Sequence, residues 1–244
     1  MTYCVGLQID RGLVLMSDTR TNSGVDYISS FRKLHHWSVP GERVIALLSS
    51  GNLATTQAVL SKLEERSKTP GERRNSLLDA PTMFQVATLV GDVLRETIRD
   101  SAKSDSPDAS GTFTASFILA GQIAGMEPRL FLVYPEGNFI EASADTPFFQ
   151  VGETKYGRPI LIRAYDPAMS FEEAIKLLMV SFDSTLKANL SVGMPLDLLV
   201  LERGTFEPLH HRRIPEDDPY FRSISSGWSD ALRRAFEELP GYSL

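Results

Sequence analysis

Two adjoining strand patterns at the start of the chain constrain the fold more than any other feature of the sequence. Thr2–Ile9 and Gly12–Asp18 both read as strands, and in the first of them large apolar side chains recur with a period of two. Asp10 and Gly12 supply the turn chemistry between them. In the first strand, Thr2 falls on the face opposite the larger apolar side chains. The pattern predicts an antiparallel hairpin that opens on a threonine.

The rest of the chain shows groups of strands alternating with groups of helices. Further strands are predicted at Arg43–Leu48, Thr114–Gln122, Arg129–Tyr134, Phe139–Ala142, Phe148–Val151 and Leu196–Glu202. Helices are predicted from a cap at Asn52 or Gly51 to about Arg66, from about Pro81 to about Ala102, from Ser170 to Lys187 and over about Trp228–Glu238. The polar segments Lys68–Asn75 and Ser101–Gly111 are predicted loops. This order favours an α+β fold with helices outside two packed antiparallel sheets, a four-layer αββα sandwich, although a simpler α+β domain is also compatible.

Composition and charge limit the classes of partner. The 244 residues include 42% hydrophobic and 23% charged side chains, which is ordinary for a globular protein. A net charge of −6 argues against nucleic acid as a partner, since phosphate binding needs a basic surface. The longest apolar runs, such as Leu177–Val180, are far too short to cross a bilayer, so no membrane partner is expected.

The start of the chain and its single cysteine indicate the cellular compartment in which the protein is expected. Cys4 alone excludes an internal disulfide framework and fits a reducing compartment, and nothing at the start resembles a signal peptide. We therefore expect a cytoplasmic protein. The length suits one domain over residues 1–244 with a short C-terminal extension at about 205–244, although two small domains would also fit.

The residue at position 2 has chemical potential of its own. Methionine before a small residue is readily removed, and its removal would give Thr2 a free α-amine beside its hydroxyl. One residue would then hold both a nucleophile and a base, because the amine can take the proton of its own side chain. The amine has a reference pKa of about 8, which suits a general base near neutral pH.

Several short motifs follow Thr2 in a fixed order. They are Val5-Gly6, Gly12-Leu13-Val14-Leu15, Ser17-Asp18-Thr19-Arg20, Lys33 within Phe31-Arg32-Lys33-Leu34, and Ser50-Gly51 before a helix. Together they resemble the amino-terminal signature of proteasome β subunits, which are N-terminal nucleophile (Ntn) hydrolases with an αββα fold. The absence of a propeptide and the tail Arg212–Phe221 resemble a narrower group, the bacterial ancestral β-subunit family called Anbu.

The resemblance implies a role for each matching residue. Thr2 would be the nucleophile and, through its amine, the general base. Lys33 would favour the alkoxide by its charge, and Asp18 would hold Lys33 in place. The amide of Gly51 would face the developing oxyanion. Thr19 and Arg20 belong to the same signature and are expected to support the site.

Two further family features match less closely. A glycine-serine step that supports the threonine amine corresponds best to Gly137-Asn138, so Asn138 is a second supporting residue. An aspartate and serine pair falls in Ala188–Ser191, where Ser191 matches the serine but Ala188 or Asn189 occupies the aspartate position. A missing carboxylate there would remove a group that orients the amine and would lower catalytic efficiency.

Assembly and substrate follow from the same resemblance. Family members assemble into rings, and Anbu proteins resemble an open-ring or helical variant, so a homo-oligomer is expected. Trp228 and the acidic-aromatic segment Asp217–Phe221 are candidate subunit contacts. The expected substrate is a peptide or protein, whose path Thr21 or Asn22 would shape.

Three functions are compatible with these residues. The first is a threonine peptidase that forms an acyl-enzyme on Thr2. The second is an Ntn amidase that acts on a small amide or isopeptide through the same machinery. The third is a self-assembling scaffold with weak or no catalysis, which the doubtful Ala188–Ser191 segment suggests. Each residue alone has an ordinary structural explanation, and the order and spacing of the set favour the peptidase.

The remaining metal-type and thiol residues have simpler explanations. His35-His36 and His210-His211 are adjacent pairs that lack the i, i+4 spacing of a helical zinc site, so neither a metal nor another cofactor is expected. Cys4 shares a strand face with Thr2 and could touch a pocket there. A free cysteine is, however, more often a small core residue.

Overall fold

The computed structural model describes residues 2–23, 27–68, 76–103 and 113–243. The two predicted loops, Lys68–Asn75 and Ser101–Gly111, therefore lie almost entirely outside the described residues. No helix in the described ranges is long and apolar enough to cross a membrane.

Two five-stranded antiparallel sheets form the centre of the molecule. The first sheet contains β1 (Tyr3–Ile9), β2 (Gly12–Asp18), β10 (Phe148–Gly152), β11 (Leu196–Glu202) and β12 (His210–Ile214), in the order β10-β1-β2-β11-β12. The second contains β5 (Leu34–Val39), β6 (Arg43–Gly51), β7 (Ala115–Ile123), β8 (Arg129–Val133) and β9 (Phe139–Glu141), in chain order. A separate two-stranded sheet pairs β3 (Arg20–Ser23) with β4 (Tyr27–Ser30).

Helices cover the outer face of each sheet. The helices are α1 (Leu53–Lys68), α2 (Met83–Lys103), α3 (Arg158–Ala164), α4 (Phe171–Ala188) and α5 (Pro219–Glu237). Helices α1 and α2 share an apolar cluster with the second sheet, whereas α3 and α4 share one with the first sheet. A third cluster fills the space between the sheets. Three apolar interfaces separate four layers, which confirms the predicted αββα sandwich.

Strand β1 shows how the sequence specifies this layering. Tyr3 and Val5 pack in the cluster beneath helix α4, while Cys4, between them, packs in the cluster that joins the two sheets. Gly6 lies where the sheets approach closely, since a Cβ atom there would come within 2.8 Å of a Leu130 side-chain carbon. The face of β1 that carries the smaller side chains is thus buried, because the second sheet packs closely against it.

Four regular regions were not predicted, because their sequences carry little apolar periodicity. They are the β3–β4 pair, the edge strand β5, the short helix α3 and the edge strand β12. Strand β12 exposes four of its five residues, so no alternation of apolar and polar residues marks it. Its backbone pairs with β11, with Leu196 opposite Ile214.

The two helices near the C-terminal part of the chain differ in how well the sequence predicts them. Helix α4 begins at the predicted capping box, in which Ser170 and Glu173 bond each other's backbone N–H groups. The prediction for α5 began too late, at Trp228, whereas the helix begins at Pro219. Asp218 caps it by accepting a hydrogen bond from the Phe221 N–H, and proline is favourable in a first helical turn.

The phenol of Tyr3 fixes the start of β1 against helix α4. Its hydroxyl lies 2.7 Å from Ser181 Oγ and accepts a hydrogen bond from Gln150 Nε2 at 2.8 Å. Burial raises the pKa of Tyr3 from 10.0 to about 12, although the hydrogen bonds with Ser181 and Gln150 oppose the rise. The folded state therefore favours the neutral phenol.

The Tyr3→Phe variant tests this anchoring. We expect it to unfold about 1–2 kcal/mol more easily than wild type at pH 8, because Gln150 loses a buried partner. The stabilisation by the raised pKa is complete below pH 10 and is lost as the pH rises towards about 12. The difference between the two proteins should thus shrink by about 1.4 kcal/mol at pH 11. Urea unfolding followed by circular dichroism at both pH values measures it, and a constant difference would contradict the buried-phenol interpretation.

Candidate active site

Thr2 lies immediately before the first residue of β1, where the chain runs alongside the end of β10. The Thr2 carbonyl oxygen accepts a 2.6 Å hydrogen bond from the N–H of Glu153, and the residue as a whole is only 9% exposed. Gly152, the residue before Glu153, has a φ of +85°, and a Cβ atom on it would lie 2.0 Å from the Thr2 carbonyl oxygen. Only glycine allows this close approach of the two backbones.

A buried carboxylate organises the residues behind Thr2. Asp18 Oδ1 accepts hydrogen bonds from Lys33 Nζ at 2.6 Å and from the Tyr3 N–H at 3.1 Å. Its Oδ2 accepts from the Gly193 N–H at 3.3 Å. Asp18 is inaccessible to solvent and Lys33 is 5% exposed, so the ion pair lies inside the protein.

Burial and neighbouring groups act in opposite directions on the pKa of Asp18. Burial raises the pKa of the Asp18 carboxyl, while the Lys33 ammonium and the N–H groups of Tyr3 and Gly193 oppose that rise by stabilising the carboxylate. Lys33 Nζ also donates to the Arg20 carbonyl oxygen at 2.6 Å. The ammonium is therefore held by two acceptors and fixed in direction, as a group that stabilises a developing alkoxide should be.

Thr19 and Arg20 connect this pair to the loop after helix α4. Thr19 Oγ1 donates to the Pro195 carbonyl oxygen at 2.8 Å, and Arg20 Nη1 donates to the Leu190 carbonyl oxygen at 2.9 Å. A Cβ atom on Gly193 would lie 2.1 Å from Arg20 Nε, so the guanidinium packs directly on that glycine. Both side chains thus hold the loop that brings the Gly193 N–H to Asp18.

Thr2 and Lys33 open into a pocket of about 240 Å³. The pocket is lined by Thr2, Thr21, Arg32, Lys33, Ser49, Ser50, Gly51, Leu53, Thr56 and Gly152. Gly51 ends β6 at this pocket with a φ of +112°, and a Cβ atom on it would lie 2.4 Å from the Thr114 carbonyl oxygen. The structure thus brings four predicted residues together: Thr2, Lys33 and Gly51 at the pocket, and Asp18 directly behind it.

Ser191 belongs to a hydrogen-bonded chain that the sequence prediction only partly contained. Its N–H donates to Asn189 Oδ1 at 2.9 Å, and Asn189 Nδ2 donates to Glu153 Oε2 at 2.9 Å. Ser191 itself is not among the residues that line the pocket. Glu153 was not predicted as a site residue, although it follows the strand that pairs with β1 and holds the Thr2 carbonyl through its own N–H.

The structure does not place Asn138 beside Thr2. Asn138 lies in the turn between β8 and β9, where its carbonyl oxygen accepts from the Tyr134 N–H at 2.8 Å. It does not line the pocket, and the neighbouring Gly137 packs on Gly91 of helix α2. The residues that run alongside Thr2 are Gly152 and Glu153, because β10 is the strand that pairs with β1. Gly137-Asn138 and Gly152-Glu153 both join a glycine to a polar residue, and strand pairing places only the second beside Thr2.

Neither Cys4 nor any of the four histidines lines the pocket. Cys4 is fully buried, its Sγ contacts the Ser49 carbonyl oxygen at 3.6 Å, and burial raises the pKa of its thiol. A cysteine in this state is a core residue rather than a nucleophile. His36 and His211 make an edge-to-face contact with ring centroids 4.8 Å apart. Among the described residues, no group of three or more His, Cys, Asp or Glu side chains could hold a metal ion.

The fold and this pocket define a class of protein. Residues 2–200 match the family model described as Proteasome subunit, and the chain therefore belongs to the proteasome subunit family, with its Ntn hydrolase fold. Within that family it is similar to the ancestral β-subunit, Anbu. The structure of Anbu from Hyphomicrobium sp. strain MC1 is 51% identical, covers 100% of both chains and superposes with a TM-score of 0.91.

Two further Anbu structures support the same assignment. Anbu (ancestral beta-subunit) from Yersinia bercovieri is 45% identical over 100% of both chains, with a TM-score of 0.92. The helical assembly of the Anbu complex from Pseudomonas aeruginosa is 45% identical over 99% of this chain and 98% of that one, with a TM-score of 0.91. The resemblance inferred from the sequence motifs is confirmed.

Removing the Asp18 charge tests the buried ion pair without reference to catalysis. We expect Asp18→Asn to destabilise the fold by about 3–5 kcal/mol, because the Lys33 ammonium would stay buried without its counter-charge. The double variant Asp18→Asn with Lys33→Met should recover part of this loss, since no charge is left unpaired. Urea unfolding measures all three proteins. An Asp18→Asn variant as stable as wild type would show that the pair contributes no net stability.

Proposed function

We propose that the protein is a threonine peptidase of the proteasome type, acting through Thr2 after removal of Met1. The arrangement of Asp18 is the observation that carries the proposal. This one carboxylate bonds the Tyr3 N–H, directly after Thr2, and the Lys33 ammonium, which lines the same pocket as Thr2. Thr2 and Lys33 both line this pocket, so the proposed nucleophile and the cation that would assist it share one opening.

The proposed reaction is acyl transfer in two halves. The Thr2 amine takes the proton of the Thr2 hydroxyl, and the oxygen attacks the substrate carbonyl. The Gly51 amide and the Lys33 ammonium stabilise the resulting charge. The amide bond then breaks, and the α-ammonium protonates the leaving amine. Water activated by the same amine hydrolyses the ester and releases the acid. The chemistry needs no cofactor.

A small-amide or isopeptide substrate remains the second candidate. Its support is the pocket volume of about 240 Å³, which lies below the ~300–1,000 Å³ usual for larger ligands. Such a pocket accepts one side chain of a peptide as readily as a small acyl group. Parallel assays with fluorogenic peptides and small acyl amides separate the two, since the acylating machinery is common to both.

The test of the nucleophile is intact-protein mass spectrometry before and after treatment with a β-lactone or an epoxyketone. Loss of Met1 and a single adduct on wild type, with none on Thr2→Ala, is the expected result. The adduct depends on the Thr2 hydroxyl, so Thr2→Ser should still be labelled and serves as the matched control. A trimmed chain that stays unlabelled would favour the third function, a scaffold without catalysis.

We also propose that the protein is cytoplasmic and forms a homo-oligomer through its last helix. The structure from Pseudomonas aeruginosa is described as a helical assembly, and the C-terminal part of this chain presents apolar side chains to solvent. Leu232 is 51%, Phe236 77% and Leu239 65% exposed, and all three line one groove. An exposed apolar cluster of this kind is typical of an interaction surface.

The Phe236→Glu variant tests this contact. We expect its particle mass to fall below that of wild type in light scattering after size-exclusion chromatography, because a charge would be placed in an apolar interface. Phe84→Glu is the control, since Phe84 is also an exposed phenylalanine, at 53%, and lies on α2 in the other outer helical layer. An unchanged mass for Phe236→Glu would exclude α5 as the contact.

A further inference from the structure

Glu153 is a buried carboxylate with two neutral hydrogen-bond donors. Its Oε2 accepts from Asn189 Nδ2 at 2.9 Å and its Oε1 accepts from the Lys155 N–H at 2.8 Å. The residue as a whole is only 8% exposed. Both oxygens are therefore fixed, one by a side chain from the end of helix α4 and the other by the local backbone.

The carboxylate lacks a cation within the part of the chain that the structure describes. The ion pairs there join other residues, and none of them includes Glu153. A buried carboxylate is normally paired with a positive group, because its desolvation is otherwise poorly compensated. Two neutral donors are a weak substitute for a counter-ion, so a potential cation on the neighbouring chain segment would compensate the buried charge better.

That potential cation is the amino group of Thr2. Tyr3 lies opposite Gly152 in the pairing of β1 with β10, so Thr2 and Glu153 are the next residues on these two chains. The 2.6 Å bond between the Thr2 carbonyl and the Glu153 N–H joins them directly. When Met1 is removed, Thr2 gains an α-ammonium at this point.

We propose that Glu153, held by Asn189, is the positioning residue that supplies the counter-charge to the Thr2 α-ammonium. The inference rests on the proposed function, in which this amine is the general base. It places the negative charge on the strand side of the Glu153–Asn189 pair, whereas the sequence comparison had expected a carboxylate near Ala188 or Asn189.

The effect of Glu153 on the amine has a definite sign. A carboxylate within about 4–6 Å favours the ammonium and raises its pKa, commonly by about 1–3 units for a partly buried pair. The ammonium is also held in one direction, which orients the proton that it returns to the leaving group. Glu153 acts through the amine and does not itself contact the substrate.

The experiment measures the pKa of the Thr2 amine in a chain that begins at Thr2. Amine acylation by acetic anhydride is followed by mass spectrometry as a function of pH, because only the neutral amine reacts. We expect Glu153→Gln to lower the amine pKa by about one unit, which makes the amine about tenfold more reactive at pH values below both pKa values. Glu207→Gln, at an exposed glutamate in the turn between β11 and β12, should leave the pKa unchanged.

A charge exchange separates electrostatics from structure. Glu153→Gln combined with Asn189→Asp returns a carboxylate to the pair on its other side and keeps a hydrogen bond across it. The double variant should recover the wild-type amine pKa, at least in large part. A merely structural role would predict no recovery of the pKa. The double variant also tests the proposal should Glu153→Gln alone fold poorly.

The experiments separate the positioning role of Glu153 from the proposed peptidase activity. An amine pKa that Glu153→Gln does not change overturns the positioning role, whatever the enzyme does. A wild-type chain that shows the pKa shift but takes no β-lactone adduct supports the Glu153 contact and contradicts the proposed peptidase. The pKa measurement therefore does not depend on catalysis.

Discussion

The buried carboxylate of Asp18 is the interaction on which the site depends. Its two oxygens accept hydrogen bonds from a backbone N–H of β1, from the ammonium of Lys33 and from a backbone N–H in the loop after α4. These three donors come from parts of the chain that are far apart in sequence. A carboxylate so far from solvent is tolerated only when its partners are in place, so the folding of the two sheets and the assembly of the site are coupled.

Strand order determines what lies next to Thr2. Strand β1 has β2 on one side, as expected for a hairpin, and β10 on the other, about 150 residues later in the chain. Gly152 allows the backbones of β10 and Thr2 to meet, and Glu153 follows at once. The identity of the residue beside Thr2 therefore depends on long-range pairing and on no local sequence rule.

Those parts of the molecule that depend on patterns within a few neighbouring residues could be predicted from the sequence. The period of two in β1, the capping box at Ser170 and the ordered motifs from Thr2 to Gly51 each have a physical meaning within a few residues. Strand β12 could not be found in this way, because a solvated edge strand of histidines and arginines has no apolar period. The sequence pointed to Asn138 and not to Glu153, although each follows a glycine, because only the pairing of β10 with β1 shows which of them lies beside Thr2.

The Glu153–Asn189 pair shows why a missing residue is weak support for a missing function. A carboxylate and a primary amide form the same hydrogen bond whichever side of the contact carries the charge, because the amide offers a donor in either position. What the amine experiences is the sign and distance of the charge, which depend little on the strand or helix that supplies it. A sequence comparison scores position by position and registers the absence near Ala188 as a loss. The folded chain holds the Glu153 carboxylate against Asn189, so the absence of an aspartate near Ala188 gives no reason by itself to prefer a scaffold over an enzyme.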